Sequence, residues 1–305
     1  MSEQKISRVG VVGTGVIGIS WATYYLSKGL DVVASDPAPN AESLLRAGIT
    51  ENDPKIDQDK LQFIKDPQKA VEGVQFVQES GPERLEIKQQ VFKALDEATD
   101  PSVLLVSSSS GIRASEFQTA ASHPERILLG HPFNPPHLIP LVEVCGGKAT
   151  SEDAVKRTID FYRSLGKKPI RLLKEMKGHV ANRLQAALWQ ECFFLVQQGV
   201  TSAEDIDVAI SQGPGLRWGI LGPFLNLYLS GGDGGIRHVL EHLGPPMESW
   251  MKDLGKIEID AKLTDLISDD LARMLKSRDL EKIVKERNEV LLTLMDLKEK
   301  ATDLP

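Results

Sequence analysis

The sequence predicts an α/β fold: a mostly parallel β-sheet domain covered by helices, followed by an all-helical C-terminal domain. Short apolar strand patterns alternate with helical patterns as far as about residue 174, and only helical patterns follow. Such alternation is typical of parallel sheets, because each parallel strand needs a crossover connection to the next. A chain of 305 residues is also long for one hydrophobic core. We therefore expect two domains, residues 1–176 and 177–305.

The predicted strands of the first domain are short apolar runs, and its helices have an apolar face at helical spacing. The strands are Ile6–Val12, Leu30–Ser35, Val74–Gln78, Val103–Val106, Ile127–Leu129, Leu141–Val144 and Pro169–Leu173. The helices are a segment that ends at Leu26, Ala41–Gly48, Pro82–Glu97, and Asp153–Leu165 with Thr150 or Ser151 as its cap. Pro82 suits the first turn of its helix, because proline has no N–H to leave unpaired there.

The second half contains helical patterns only. They cover Val180–Gln198, Ser202–Ser211, Pro245–Met251, Thr264–Lys276 and Leu280–Lys300. A capping box of Thr201 and Glu204 is expected at the start of the second of these helices.

Composition restricts the class of protein. The net charge of −7 argues against a broad nucleic-acid surface. Only two cysteines, Cys145 and Cys192, occur, which is typical of a reducing compartment. Residues 1–8 are polar and do not resemble a signal peptide, and the apolar stretch Gly215–Leu229 contains Arg217 and Pro223. We therefore expect a cytoplasmic protein that binds neither nucleic acid nor membranes.

A dinucleotide-binding pattern lies at the N-terminus. Gly13, Gly15 and Gly18 form GxGxxG between a strand and a helix. These glycines allow a tight turn, a close approach of a pyrophosphate and close helix packing. Asp36 ends the next strand, where a carboxylate hydrogen-bonds a ribose diol and repels a 2′-phosphate. The pattern predicts a Rossmann-type domain that binds NAD in preference to NADP.

The segment GHPFNPPHLIPLVE, residues 130–143, indicates proton transfer. Histidine is the residue type whose unperturbed pKa lies nearest neutrality, and Glu143 follows His131 twelve residues later in an apolar run. A carboxylate that folds back onto the ring would fix its tautomer. Serines 107–110 at a strand end and Asn182 in GHVANRL complete the constellation. Each of these residues also has a purely structural interpretation. His131 could be a structural loop histidine, the serines could cap the next helix, and Asn182 could be a helix N-cap.

This set of residues resembles the 3-hydroxyacyl-CoA dehydrogenase family along essentially the whole chain. Ser110 lies twenty-one residues before His131 and Glu143 twelve after it, as in that family. The resemblance implies that His131 is the general base and Glu143 its orienting partner. It also implies that Ser110 and Asn182 hydrogen-bond the reacting oxygen and the substrate carbonyl.

The same resemblance extends to further binding residues. Asn134, in the HPFNP motif, matches a substrate-binding position of the family. Glu83 and Lys88, in PERLEIK, match residues near the nicotinamide ribose. Family members dimerise through their helical domains, so the resemblance also implies a homodimer.

Two features concern the substrate. The segment between Asp36 and Gln75 is short, whereas acyl-CoA members of the family carry a long lysine-rich helical arm there. GPGLRWGILGPF contains Arg217 and Trp218, and it is similar to the branch with L-carnitine dehydrogenase and L-gulonate 3-dehydrogenase, the lambda-crystallin relatives. Arginine binds both oxygens of a free carboxylate, and tryptophan can contact a quaternary ammonium. A small free 3-hydroxy acid is the expected substrate.

Alternative functions follow from the same chain. The second candidate function is oxidation of a 3-hydroxyacyl-CoA ester, and the third is a non-enzymatic, crystallin-like role.

A zinc-hydrolase pattern, HxxEH, is formed by His238, Glu241 and His242. We expect no metal there, because no convincing further ligand is close in sequence and Gly244–Pro245 should end the helix.

Overall fold

The computed structural model describes residues 5–304. Residues 1–4, part of the segment predicted not to be a signal peptide, and Pro305 lie outside the described residues. The chain forms two compact units, of which the first extends to Arg183 and the second begins at Leu184. The first contains a β-sheet with covering helices and the second contains helices without strands in residues 184–304. The predicted α/β fold class is confirmed.

The sheet of the first unit has eight strands in the order β3-β2-β1-β4-β5-β6-β7-β8. All neighbours are parallel except β6 and β7, which run antiparallel. Most of the strands are nearly continuous apolar runs, because helices cover both faces of the sheet. Their bounds are β1 Arg8–Val12, β2 Asp31–Ser35, β3 Leu61–Phe63, β4 Phe76–Glu79, β5 Leu104–Ser107, β6 Ile127–Pro132, β7 Leu141–Gly146 and β8 Lys168–Leu172.

Six helices accompany this sheet and form two apolar cores, one on each face. Trp21 stacks on Tyr25 and Tyr162 in one core, and Phe92 stacks on Phe117 in the other. Aromatic pairs of this kind add to the free energy gained from buried area. The helices are α1 Val16–Ser27, α2 Ala41–Asn52, α3 Pro67–Ala70, α4 Leu85–Ala98, α5 Ala114–Phe117 and α6 Glu152–Ser164.

Helix starts in this unit partly correct the sequence-based bounds. Ser151 caps α6 by accepting a hydrogen bond from the N–H of Ala154, so the second of the two expected caps is used. Pro82 is not in the first turn of α4, which begins at Leu85 after an extended Arg84. The Arg84 N–H instead closes a tight turn onto the Pro82 carbonyl.

The remaining helices belong to the second unit, except that the first turn of the first one lies before the boundary at Arg183. They are α7 Ala181–Gln197, α8 Ala203–Ser211, α9 Pro214–Trp218, α10 Pro223–Leu229, α11 Gly235–Asp253, α12 Ala261–Leu275 and α13 Leu280–Lys300. Within residues 184–304 the buried apolar side chains larger than glycine are Val196, Val239 and Leu263. In the part of the chain that the structure describes, no helix is both long and apolar enough to span a bilayer.

Two expectations about these helices are wrong. Ser202, and not Thr201, caps α8 by accepting from the Asp205 N–H, because the helix begins one residue later than the capping box requires. Helix α11 passes through Pro245 and Pro246 and ends at Asp253. Proline removes one intrahelical hydrogen bond, but the surrounding turns keep the remaining ones.

Candidate active site

The glycine loop, residues 13–18 at the junction of β1 and α1, has two glycines fixed by packing and one that faces open space. Gly13 has a φ of +92°, and a Cβ there would lie 2.6 Å from the backbone of Ser80 and Gly81. A Cβ on Gly18 would lie 1.9 Å from the carbonyl oxygen of Gly13. A Cβ on Gly15 would meet no atom within 4 Å, although Gly15 stands directly before α1. The open space at a helix N-terminus suits a pyrophosphate.

Asp36 lies directly after β2 and its carboxylate faces the glycine loop. One carboxylate oxygen accepts a hydrogen bond from the Thr14 N–H at 2.8 Å, and the other accepts from the Ala38 N–H at 2.9 Å. These bonds fix the carboxylate, and its remaining lone pairs suit the hydroxyls of a ribose. The loop and Asp36 together fit the adenosine diphosphate half of NAD.

Lys88 lies inside the protein. Its side chain is 1% exposed, and its Nζ lies 2.9 Å from both carboxylate oxygens of the equally buried Glu79. The Ser107 hydroxyl donates to the same carboxylate at 2.5 Å. The Nζ of Lys88 also lies 3.8 Å from Oε2 of the partly exposed Glu83. The ammonium group therefore compensates the buried charge of Glu79 and attracts the carboxylate of Glu83.

Glu83 ties the loop after β5 to the start of α4. Its Oε1 accepts from the Ser109 hydroxyl at 2.6 Å and from the N–H groups of Gly111 at 2.6 Å and Ile112 at 3.1 Å. Burial alone would raise the pKa of Glu83, but these hydrogen bonds and the Lys88 charge lower it. Glu83 is therefore a carboxylate at neutral pH, and its hydrogen bonds fix the loop after β5.

His131 and Glu143 face each other across the antiparallel β6–β7 pair. The Nδ1 of His131 lies 2.9 Å from Oε2 of Glu143, and both side chains are buried. The other oxygen of Glu143 accepts from the N–H groups of Val180 at 2.8 Å and Ala181 at 3.0 Å. Burial would raise the pKa of Glu143, but the bonds from His131 and from these N–H groups lower it. An ionised Glu143 requires the proton on Nδ1 of His131, which leaves Nε2 as the basic atom.

Three polar residues, Asn182, Ser110 and Asn134, were predicted beside this pair. Asn182 follows Ala181, whose N–H binds Glu143, and it is the second residue of α7, not its N-cap. Ser110 is exposed directly after buried Ser109, and Asn134 is exposed three residues beyond His131. The roles of these three side chains stay predictions.

His179 is a second imidazole at the site that sequence reasoning missed. It is 2% exposed, and its ring centroid lies 4.9 Å from that of His131. Its Nε2 donates to the Ser109 carbonyl at 3.1 Å. Burial lowers the pKa of His179, and the hydrogen bond to the carbonyl opposes this. The histidine in GHVANRL was visible in the sequence, but its approach to Ser109 depends on residues seventy positions away.

Two models of one protein family match most of the chain. A model of the 3-hydroxyacyl-CoA dehydrogenase NAD binding domain matches residues 8–176, and a model of the C-terminal domain of the same enzymes matches residues 178–258. The chain belongs to the 3-hydroxyacyl-CoA dehydrogenase family. It is thus an NAD-dependent oxidoreductase, and the predicted family and cofactor are confirmed.

Relatives within the family span nearly the whole chain. An L-carnitine dehydrogenase of Streptomyces coelicolor is 41% identical over 94% of this chain and 93% of its own length. A 3-hydroxyacyl-CoA dehydrogenase of Gibberella moniliformis is 41% identical over 99% of this chain and 98% of its own. The solved structure of 5-formyl-3-hydroxy-2-methylpyridine 4-carboxylic acid 5-dehydrogenase, described as an NAD⁺-dependent dismutase, has a TM-score of 0.79 at 28% identity. It covers 96% of this chain and 99% of that one.

Arg217 and Trp218 belong to the second unit of this family member. Both are exposed and lie at the end of the five-residue helix α9. The Arg217 carbonyl accepts from the N–H of Leu221, which shapes the turn after α9. Their contact with a substrate stays a prediction.

The HxxEH segment lies on α11. The Nδ1 of His242 lies 2.9 Å from the carbonyl of His238, and Glu241 is paired with Arg237 at 3.7 Å. Among residues 5–304, no cluster of three or more histidine, cysteine or acidic side chains could hold a metal ion.

Proposed function

We propose that this chain oxidises the 3-hydroxyl group of a small free 3-hydroxy acid, carnitine-like or gulonate-like, to the 3-keto acid. The buried His131–Glu143 pair carries the proposal, because it leaves Nε2 of His131 as a base in the same unit as the dinucleotide-binding loop. The name of the Streptomyces relative supports carnitine or a similar acid as the substrate.

His131 accepts the hydroxyl proton at Nε2, and its imidazolium is then stabilised by the Glu143 carboxylate. NAD bound at the glycine loop supplies the hydride acceptor. Glu143 keeps its orientation throughout, because the Val180 and Ala181 N–H groups bind its second oxygen. Ser110 and Asn182 donate hydrogen bonds to the reacting oxygen and the substrate carbonyl, where they favour the developing negative charge.

The cofactor-binding residues divide into direct and supporting ones. Gly13, Gly15 and Gly18 would cradle the pyrophosphate, and Asp36 would hold the adenosine ribose. Glu83, whose side chain is 42% exposed, would hydrogen-bond the nicotinamide ribose. We assign Lys88 to the support of Glu83, because its ammonium group is buried against Glu79.

A free acid is favoured over a CoA ester by the segment after β2. It contains the twelve-residue helix α2, the three-residue strand β3 and the four-residue helix α3, and no long helical arm. Arg217 would bind the substrate carboxylate, with Asn134 and Trp218 as further contacts. A 3-hydroxyacyl-CoA dehydrogenase activity is the second candidate, because the Gibberella relative carries that name.

A substrate screen tests the proposal. NADH formation is measured with L-carnitine, L-gulonate, 3-hydroxybutyrate and 3-hydroxybutyryl-CoA. We expect a free acid to give the highest kcat/KM and the His131→Gln variant to lose turnover while it still binds NADH. Faster turnover of the CoA ester would favour the second candidate. No turnover of any of these compounds would favour a non-enzymatic, crystallin-like role.

Arg217→Ala tests the carboxylate contact separately. We expect KM for the free acid to rise about tenfold or more with little change in kcat, as for the loss of a charge-assisted hydrogen bond. Arg237→Ala, on an exposed part of α11, is the matched control. An unchanged KM in Arg217→Ala would remove this residue from the site.

We also propose a cytoplasmic homodimer, with residues 1–176 as the NAD-binding domain and 177–305 as the helical substrate and dimerisation domain. Large apolar side chains of the second unit are exposed, among them Trp189, Phe224 and Trp250. Association would remove such side chains from water. The cytoplasmic location is supported separately by the two free cysteines, which suit a reducing compartment. Sedimentation at assay concentration tests the dimer, and a monomer there would contradict it.

A further inference from the structure

The loop between β6 and β7, residues 133–140, carries Asn134 and is fixed by a buried lysine. Lys167 lies just before β8 and is 3% exposed. Its Nζ donates to the carbonyl oxygens of Pro136 and of Ile139, the latter at 3.0 Å. Both carbonyls belong to the loop, so one ammonium group fixes the loop backbone at two points.

The same ammonium group contacts the helix that starts at the glycine loop. The Nζ of Lys167 lies 3.8 Å from the ring centroid of Tyr24 and 5.2 Å from that of Trp21, both on α1. A cation over an aromatic face is attracted by the ring quadrupole, most strongly where water is excluded. Lys167 therefore connects the loop to α1.

A second contact joins the loop to α1 nearby. The Ser20 hydroxyl oxygen accepts from the His137 N–H at 2.8 Å and lies 2.8 Å from Nδ1 of His137. The Ser20 hydroxyl can donate its one proton to Nδ1 while its oxygen accepts from the backbone. This contact is charge-neutral, whereas the Lys167 contact depends on a charge.

We propose that Lys167 is a positioning residue for the substrate: its ammonium group, held between the α1 aromatic rings and two loop carbonyls, fixes the loop that presents Asn134. It acts through the loop backbone and touches neither substrate nor cofactor. The effect on substrate binding rests on the proposed function, in which Asn134 contacts the acid. The effect on the loop itself does not.

The charges around Lys167 make this contact sensitive to pH. Burial and the nearby Lys28 charge lower the pKa of Lys167 to about 7. Tyr24 faces it as a neutral phenol, because burial raises the Tyr24 pKa to about 12. Burial and Lys167 lower the pKa of His137, and Asp53 opposes this. As pH rises through about 7, Lys167 loses its charge and with it the cation–π attraction, so the loop should loosen.

Lys167→Met tests the proposal, because methionine keeps the length and apolar stem without the ammonium group. We expect hydrogen exchange of residues 133–140 to become at least about tenfold faster, as for the loss of one or two buried hydrogen bonds. KM for the acid should rise about tenfold, while kcat and the Kd for NADH change less than about threefold. We expect the wild-type KM to rise as pH increases through about 7, because Lys167 then loses its charge. This rise should be absent in the Lys167→Met variant.

Two further variants separate positioning from folding. Lys168→Met changes the adjacent exposed lysine and should leave exchange, KM and pH dependence unchanged. Lys167→Gln keeps a hydrogen-bond donor without a charge, and its exchange rate and KM should lie between those of the wild type and Lys167→Met. It also replaces Lys167→Met if that variant does not fold.

The possible failures are distinguishable. Wild-type exchange rates in the loop of a folded Lys167→Met variant would overturn the proposal, whatever its activity. Faster exchange with an unchanged KM would overturn the link to substrate positioning. If no acid is turned over by the wild type, the proposed function fails, and the exchange experiment still decides the role of Lys167 in the loop.

Discussion

Replacement of Glu143 by Gln tests how the carboxylate controls the tautomer of His131. Glu143 accepts three hydrogen bonds, one from Nδ1 of His131 and two from the backbone N–H groups of Val180 and Ala181. The amide oxygen of glutamine can keep the two backbone bonds only if its NH₂ group faces His131. Nδ1 must then accept a hydrogen bond, and the imidazole proton moves to Nε2. The base that receives the substrate proton is thereby lost.

The expected loss follows from this change of tautomer. An amide in place of the orienting carboxylate lowers kcat about 10⁴-fold in the Ser-His-Asp triad, where it has the same effect on histidine. At 1.36 kcal/mol per tenfold change, this corresponds to about 5 kcal/mol of transition-state stabilisation. NADH formation at saturating acid measures kcat, and NADH fluorescence measures cofactor binding, which should be unchanged.

The matched control is Glu152→Gln, which changes an exposed glutamate paired with Arg171. We expect wild-type kcat in this control, because exposed ion pairs contribute little. A Glu143→Gln enzyme within tenfold of wild-type kcat would refute the tautomer argument. It would show that His131 keeps a basic Nε2 without a carboxylate partner.

Three further substitutions test the support of the cofactor site. Lys88→Met should lower the free energy of unfolding by about 3–5 kcal/mol in urea titrations, because it leaves the Glu79 carboxylate buried without a counter-charge. Lys93→Met, on the exposed face of α4, should change it little, and equal effects of the two would contradict the buried-pair argument. Gly18→Ala should weaken NADH binding and lower stability by about 1–3 kcal/mol, because its Cβ has no room. Gly15→Ala should weaken NADH binding without loss of stability, because nothing of the protein lies within 4 Å of its Cβ. A destabilised Gly15→Ala, or normal NADH binding by it, would contradict the assignment of that space to the pyrophosphate.

The contact between His131 and Glu143 was predicted from the sequence, because a carboxylate follows the histidine at a short separation in an apolar run. The antiparallel β6–β7 register, which was not predicted, places the two residues opposite each other. The glycine loop and Asp36 were equally accessible, because a strand, a tight turn and a helix N-terminus impose local backbone requirements that glycine meets.

The surroundings of Lys88 could not be predicted from the sequence. The motif PERLEIK indicated a lysine near the cofactor, and the helical pattern did not show that α4 turns this side chain inward. Its partner Glu79 and the Ser107 hydroxyl lie on two neighbouring strands. The distinction between contacting the cofactor and supporting a residue that does so is therefore a tertiary one.

The sequence by itself determined the alternation of strands and helices before the helical half, the cofactor loop and the pairing of a histidine with a carboxylate. These features depend on local backbone preferences and on short separations along the chain. The tertiary structure decided which polar side chains lie inside. Lys167 meets carbonyls about thirty residues away and aromatic rings more than 140 residues away, and His179 meets a carbonyl seventy residues away. Burial of a charged or polar group is favourable only where distant segments supply its partners together, and residue order alone does not specify that meeting.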